Sequence, residues 1–373
     1  MTLTAPAAVA DNARPYLHGT ETTALAAALA SGQYNHSGVT DEFEQRVAAF
    51  LGVPDVVAVA SGTTALHLAL LAAGIGPGHE VIVPSFTFCA TVQAIVATGA
   101  EPRFVEVALN TGCVEAGEVL NALRPATRAV LPVLYGGRAV DLSAAHAALD
   151  ERGITVVEDA AHAFGSHHGS RLVGATGDLT CFSFGPIKNL TCGLGGAVVP
   201  RTPQEATACR RLRDLGIAES AATRARTTTY TVERLGLRAQ MSGLNAAIGL
   251  AQLDHFARTR TARRALWHAY ATALEGIEGV ELVDVDPDRS VPHLCAVRVL
   301  TDRDRVFHAL RERGIGVGTH YPPNHRQPAF STWYRPLPLT DRLGARIMTL
   351  PFHQHLTADD VEHVTARLRQ ALR

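Results

Sequence analysis

Short apolar runs at 56–60, 81–84, 104–107, 129–134, 155–157, 181–184 and 197–199 punctuate the first half of the chain and predict strands. Between several of them the period lengthens: Leu66, Ala69, Leu70 and Ala73 fall at i, i+3, i+4 and i+7, the stripe of a helix lying on a sheet. Strand, helix, strand repetition predicts an α/β fold, since parallel neighbours need a helix to bring the chain back, with a mostly parallel sheet covered on both faces. Ligands of such sheets lie beyond the carboxyl ends of the strands, so chemistry is sought just after each run. A second helical stripe, Leu244, Ala247, Ile248 and Ala251, starts behind Ser242 as N-cap and is expected to lead out of the large domain. Runs at 280–285 and 294–300, a helical stretch at 304–313 and a closing helix at 358–372 then predict a smaller α+β domain. The expected division is a leader over 1–16, a large domain over 17–241, and the interdomain helix with a C-terminal domain over 242–373. No internal repeat interrupts it.

Composition narrows the function classes. The 373 residues carry 34 basic and 35 acidic side chains, a net charge of -1, so no overall field favours nucleic acid or an anionic membrane. Arginine clusters at 210–213 and 258–264 are expected to be solvated helix faces, because no aromatic residues interleave with them. No apolar segment nears the ~18 residues that span a bilayer. The alanine-rich stretch 5–10 lacks the cationic start and apolar run of a secretory signal and reads as a loose leader. Six cysteines (Cys89, Cys113, Cys181, Cys192, Cys209 and Cys295) show no CxxC spacing, which predicts free thiols and a cytoplasmic location. His353 and His355 lie close together without an evident third ligand, so no metal is assigned.

Lys188 is the only lysine, against 33 arginines. Arginine supplies surface charge equally well, but its guanidinium stays protonated, whereas an amine can deprotonate and condense with a carbonyl. One task in this chain thus points to an amine, the other reading being that an arginine-rich composition spared one lysine by accident.

Three further pieces follow strand ends. Ser61-Gly62-Thr63-Thr64 opens a helix after the first run and offers amide N–H groups and hydroxyls to an anion, or is an ordinary strand-to-helix turn with a cap. Phe88, after Pro84-Ser85-Phe86-Thr87, offers a face to a flat ring, or fills the core. Glu158-Asp159-Ala160-Ala161-His162 brings carboxylates and an imidazole to one strand end, to serve a pyridine nitrogen and a ring oxygen or as capped polar groups. Phosphate cup, ring platform, pyridinium partner and amine together describe one cofactor, pyridoxal 5'-phosphate.

With these residues in place the chain resembles the DegT/StrS-type sugar aminotransferases of the fold type I pyridoxal phosphate enzymes. The resemblance runs from about Leu17 to the C-terminus and is carried by 61–70, 76–84, 158–162, Phe182-Ser183-Phe184 with Lys188-Asn189, and 241–253. It implies that Lys188 is the Schiff-base lysine, Asp159 the partner of the pyridine nitrogen and His162 the ligand of the ring oxygen. Phe88 would stack on the ring, and Gly62, Thr63 and Ser183 would hold the phosphate. It also implies a homodimer with shared sites, in which Arg238 crosses from the neighbouring subunit toward the phosphate. Two positions depart from the pattern: Arg238, where many relatives have Asn, and Leu194, where many have Glu. In the C-terminal domain, His320, Tyr321, Asn324 and His325 are candidate sugar or pyrophosphate contacts, or a proline-stiffened loop. Tyr34 and His36, with Gln33 and Asn35, are candidates for the substrate cleft.

The expected activity is transfer of an amino group from L-glutamate to a nucleotide-linked keto sugar, with ping-pong kinetics. A ketocyclitol acceptor is the alternative of the same class. A pyridoxal-phosphate-binding regulator without turnover is the alternative of another class, and retention of Lys188 with Asp159 speaks against it. A nucleotide-binding dehydrogenase is the weakest rival, since 193–196 lacks the required glycine spacing.

Overall fold

The computed structural model describes residues 8–373. Its strands in chain order are β1 (Val57–Val59), β2 (Glu80–Pro84), β3 (Glu101–Val105), β4 (Thr127–Val130), β5 (Thr155–Asp159), the hairpin pair β6 (His167–His168) and β7 (Arg171–Leu172), β8 (Leu179–Ser183), β9 (Gly196–Val199), β10 (Val280–Leu282), β11 (Cys295–Val299) and β12 (Ile347–Leu350). Seven form one sheet in the order β1-β9-β8-β5-β4-β2-β3. β9 runs antiparallel to both β1 and β8, and the remaining pairs are parallel. The mostly parallel sheet read from the apolar runs is the one that forms.

Thirteen helices accompany them: α1 (Glu21–Ser31), α2 (Gly38–Leu51), α3 (Gly62–Ala72), α4 (Cys89–Ala97), α5 (Ala116–Ala122), α6 (Ser143–Glu151), α7 (Pro203–Arg213), α8 (Ala221–Arg224), α9 (Gly243–Asp254), α10 (Phe256–Leu274), α11 (Arg303–Glu312), α12 (Pro338–Arg346) and α13 (Ala358–Leu372) among the described residues. On β2, Ile82 joins the core with Phe43 and Val47 of α2 and Ala145 of α6, while Val81 and Val83 join the opposite core with Leu66 of α3 and Ile95 of α4. Successive side chains of a strand point to opposite faces, so burial on both sides produces the unbroken apolar runs. Each such side chain contributes about 1.5–3 kcal/mol of burial free energy. α9 presses on α2 at Gly249, where a Cβ would stand 2.5 Å from Cys192 Sγ and 2.6 Å from the Phe43 ring, an approach only glycine admits.

α10 carries the chain to the small antiparallel sheet β10-β11-β12, which α10, α11 and α13 cover around Tyr270, Val297, Leu310 and Leu368. β12 was not among the expected strands: Ile347-Met348-Thr349-Leu350 is too short to display a period.

Three expectations change. From Ala8 onward the leader is a strap on the C-terminal domain: Val9 O accepts from Gly316 N at 2.7 Å, Asn12 O from Phe352 N at 2.8 Å, and Ala8 O from His353 Nε2 at 3.0 Å. Positions 1–7 of that leader lie outside the described residues. Residues 324–340 leave the small domain and return to the large one, where Phe330 and Leu337 enter its core and Glu106 accepts from Thr340 N and Oγ1. The arginine clusters are not wholly solvated either. Arg213 is buried against Glu44 Oε1 at 2.5 Å, and Arg263, 3% exposed, donates to the carbonyls of Pro292 and His293.

Candidate active site

The carboxyl ends of β2, β5 and β8 and the start of α3 surround a cavity of about 190 Å³. Ser61 caps α3, its Oγ accepting from Thr64 N at 3.1 Å, so the earlier amides of Gly62 and Thr63 stay free at the positive end of the helix dipole. Gly62 abuts β8 so closely that a Cβ would lie 2.6 Å from Ser183 Cβ, which brings the Ser183 hydroxyl beside those amides. This corner is chemically an anion cup.

Asp159 ends β5 and is buried at the cavity floor. Its Oδ2 accepts from Thr91 Oγ1 at 2.7 Å and its Oδ1 from Ala161 N at 3.1 Å. Burial raises its pKa, against which the Thr91 and Ala161 donors and Lys188 pull downward. A cationic N–H in the cavity would therefore meet a carboxylate already fixed in direction.

His162 is also buried, and its Nδ1 accepts the Gly136 amide at 3.3 Å. The ring's single proton must then sit on Nε2, which donates to Tyr321 Oη at 3.1 Å. Burial drives its pKa well below the ordinary histidine value, helped by the charge of Lys188, so the ring is a neutral donor. His293 stacks behind it at 4.1 Å.

Phe88, 56% exposed at the head of α4, lines the cavity with its ring 5.7 Å from that of Tyr321. Lys188 stands on the β8–β9 connection on the same wall, where desolvation lowers its ammonium to about 8 despite the opposing pull of Asp159. Burial thus shifts the balance toward the neutral amine, though the ammonium still predominates at pH 7. An aromatic platform, a fixed buried carboxylate, a neutral imidazole donor, an anion cup and an amine fit pyridoxal phosphate in both residue type and placement.

Residues 15–369 match the DegT/DnrJ/EryC1/StrS aminotransferase family. The chain belongs to this family. It is 36% identical over 347 residues to the erythromycin biosynthesis sensory transduction protein EryC1 of Saccharopolyspora erythraea, covering 91% of this chain and 92% of that one. Among solved structures it is similar to S. venezuelae DesV in complex with a ketimine intermediate, with TM-score 0.88, 36% identity and 95% of each chain covered. It is likewise similar to DesI in the presence of its TDP-sugar product, with TM-score 0.87, 31% identity and coverage of 98% and 92%. This DegT/DnrJ/EryC1/StrS member is a pyridoxal-phosphate-dependent aminotransferase of fold type I.

Gly62, Thr63, Phe88, Asp159, His162, Ser183, Lys188 and Tyr321 line this aminotransferase's cavity, and Leu194 stands on its wall as an exposed apolar group. An outer groove of about 470 Å³ shares Thr87, Phe88 and Tyr321 with the cavity and continues to His320 and Asn324. Asn324's amide is engaged, donating to the carbonyls of Ser85 at 3.1 Å and Thr87 at 2.6 Å. His325 lines neither space: it is buried between Ser85 Oγ, 2.7 Å from Nδ1, and Asp341, 3.1 Å from Nε2. Tyr34 and His36 lie outside this chain's cavity, bonded to Leu29 O and Asp41, as does Arg238, whose backbone pairs with that of Asp214 in an isolated antiparallel bridge. Sequence reasoning missed Thr91 of α4, although its spacing of four from Thr87, just before that helix, was a usable sign. It also missed Arg263 and His293, whose partners are remote in sequence.

Proposed function

We propose that this aminotransferase transfers the amino group of L-glutamate to a keto sugar carried on a nucleotide, acting in the cytoplasm as a homodimer with shared sites. The convergence of Lys188, Asp159, His162 and the α3 anion cup on one cavity is the observation that carries the reading. The TDP-sugar product of DesI supports the acceptor class, and the free, mostly buried cysteines fit a reducing compartment. No helix among the described residues is long and apolar enough to cross a membrane. EryC1 carries a sensory name, but the amine and its fixed carboxylate are those of a turning-over enzyme.

Pyridoxal phosphate supplies an aldehyde that condenses with amines and a protonated ring that withdraws electrons from the bond being broken. Lys188 would hold it by its amine and, with that amine free, would serve as the base that takes a proton from the donor's α-carbon and gives it back. Asp159 keeps the ring proton in place, and its two hydrogen bonds keep the carboxylate from turning away. His162 would offer the ring oxygen the Nε2–H that Tyr321 Oη now accepts, and Phe88 would cover a ring face. Gly62, Thr63 and Ser183 bind the phosphate, and Arg238 of the neighbouring copy completes that corner. His320, Tyr321 and the edge at Asn324 are the substrate-facing set of this chain, and Tyr34 and His36 stand apart from it. His325 serves that edge from behind.

Borohydride reduction of the holoenzyme followed by peptide mapping is expected to place the label on Lys188. Label on another residue, or none, overturns the assignment. Turnover of nucleotide-linked 3-keto or 4-keto sugars with glutamate, against free ketocyclitols, tests the acceptor, and a preference for the cyclitols rejects the sugar reading.

A further inference from the structure

The N-terminal strap is linked to His320 of the groove wall through Asn12 and Thr349. Asn12 Nδ2 donates to Gly316 O at 3.0 Å and Thr349 O at 2.9 Å, which fixes the direction of its amide. Its Oδ1 therefore faces Thr349 Oγ1 at 3.2 Å and receives the hydroxyl proton. Having donated that proton, Thr349 Oγ1 can only accept from His320 Nδ1, 2.8 Å away. His320 thus carries its proton on Nδ1 and leaves a bare lone pair on Nε2.

Nε2 has no hydrogen-bond partner among the described residues and is not sealed from solvent. His320 lines the outer groove, where Gln93, Gln327 and Thr319 each bring a donor as well as an acceptor and no carboxylate is present. Burial and the charge of Lys188 hold its pKa below the ordinary value, so the lone pair stays available at neutral pH.

We propose that Asn12 and Thr349 are positioning residues that lock His320 in its Nδ1-protonated form, so that Nε2 accepts a hydrogen bond from a hydroxyl of the keto substrate in the outer groove. The substrate half of this inference rests on the keto-sugar reading above, and the tautomer half does not.

Long-range 1H–15N spectra of histidine-labelled holoenzyme without substrate read the tautomer, with His320 assigned by its loss in His320→Asn. Wild type and Thr349→Ser are expected to show an unprotonated Nε2, and Thr349→Val and Asn12→Ala a mixture of tautomers. Kinetically, loss of one oriented hydrogen bond should raise KM for a nucleotide-linked keto sugar about fivefold in Thr349→Val and Asn12→Ala. Thr349→Ser should restore it, and the single-turnover rate with the amino donor should stay at the wild-type value in all three. A protonated Nε2 in wild type overturns the proposal, as does an unchanged KM in both variants or an equal loss in the donor half-reaction. If wild type turns over no keto sugar while the tautomer pattern is as expected, the substrate half falls with the keto-sugar reading and the lock stands. Asn12→Ala on the partly exposed strap keeps the test open if Thr349→Val does not fold.

Discussion

Two buried polar chains leave the end of β2 two residues apart and meet different fates. From Thr87 one runs through Thr91 to Asp159 and stops at an open cavity. From Ser85 the other passes by a hydrogen bond to His325, whose Nε2 stands 3.1 Å from Asp341 as a charge contact, and closes on Arg326. The second has the residue types of a hydrolytic triad, yet Ser85 is fully buried and its Oγ already accepts the His325 amide at 2.9 Å. No substrate carbonyl reaches that hydroxyl. Residue types do not make a reactive site; a chain that ends on an unfilled space does. The closed chain instead fastens the returning segment 324–341 to the wall that bears Phe88.

The sharpest break in this comparison is at the open cavity. Lys188→Arg keeps the positive charge and removes the condensing amine, so transamination should fall by ~10³-fold or more, about 4 kcal/mol in the barrier. Urea unfolding midpoints should stay at the wild-type value. A variant retaining turnover within tenfold would show that the amine is not the working group.

Glu158 extends the contrast to the strand carrying Asp159. It points to the opposite face, is buried, and is held by Thr180 Oγ1 at 2.7 Å. Burial raises its pKa to about 7 from the model-peptide value of 4.5. Because the folded value is the higher one, its contribution is fully present below about pH 4.5 and is lost as pH rises through 7, by about 3 kcal/mol. Glu158→Gln should remove that part of the fall in stability between pH 4.5 and pH 8, measured as the difference in urea midpoints from wild type. Equal pH dependence in both proteins would mean that Glu158 ionises normally in the folded state. His325→Ala, on the closed chain, should cost about 2 kcal/mol of stability by removing the imidazole from Ser85 Oγ and leaving a cavity in the seam, although Arg326 still pairs with Asp341, while kcat of the folded fraction changes less than twofold. A loss confined to kcat would place His325 in the chemistry.

How much of this was legible follows from where partners lie in sequence. The large-domain strands showed because sheet burial on two sides leaves an apolar run that needs no distant information. Lys188 and Asp159 showed because each stands just past such a run and their residue types have few structural uses there. Asn12 and Thr349 gave no sign, being 337 positions apart with a contact that exists only once the strap is laid down. Arg263 misled for a related reason: among neighbouring arginines it reads as surface, and its burial depends on the carbonyls of Pro292 and His293. His325 was read as substrate-facing because its loop reaches the mouth, yet a one-residue step along that loop turns its side chain into the seam.

The smallest effect tests the open chain itself. Thr91 and Ala161 divide the two oxygens of Asp159 between them, so Thr91→Val removes one donor and leaves the carboxylate tethered by the other. The isosteric methyl preserves packing, and the lost bond to a charged acceptor is worth about 1.5 kcal/mol, or roughly tenfold. That loss should appear in kcat for both half-reactions, because Asp159 as the proposed ring partner would serve each, while KM for both substrates holds within twofold. If Thr91 merely filled space in α4, valine would fill it equally well and kcat would not move. If kcat fell in one half-reaction only, Asp159 would be acting on a substrate and not on the ring.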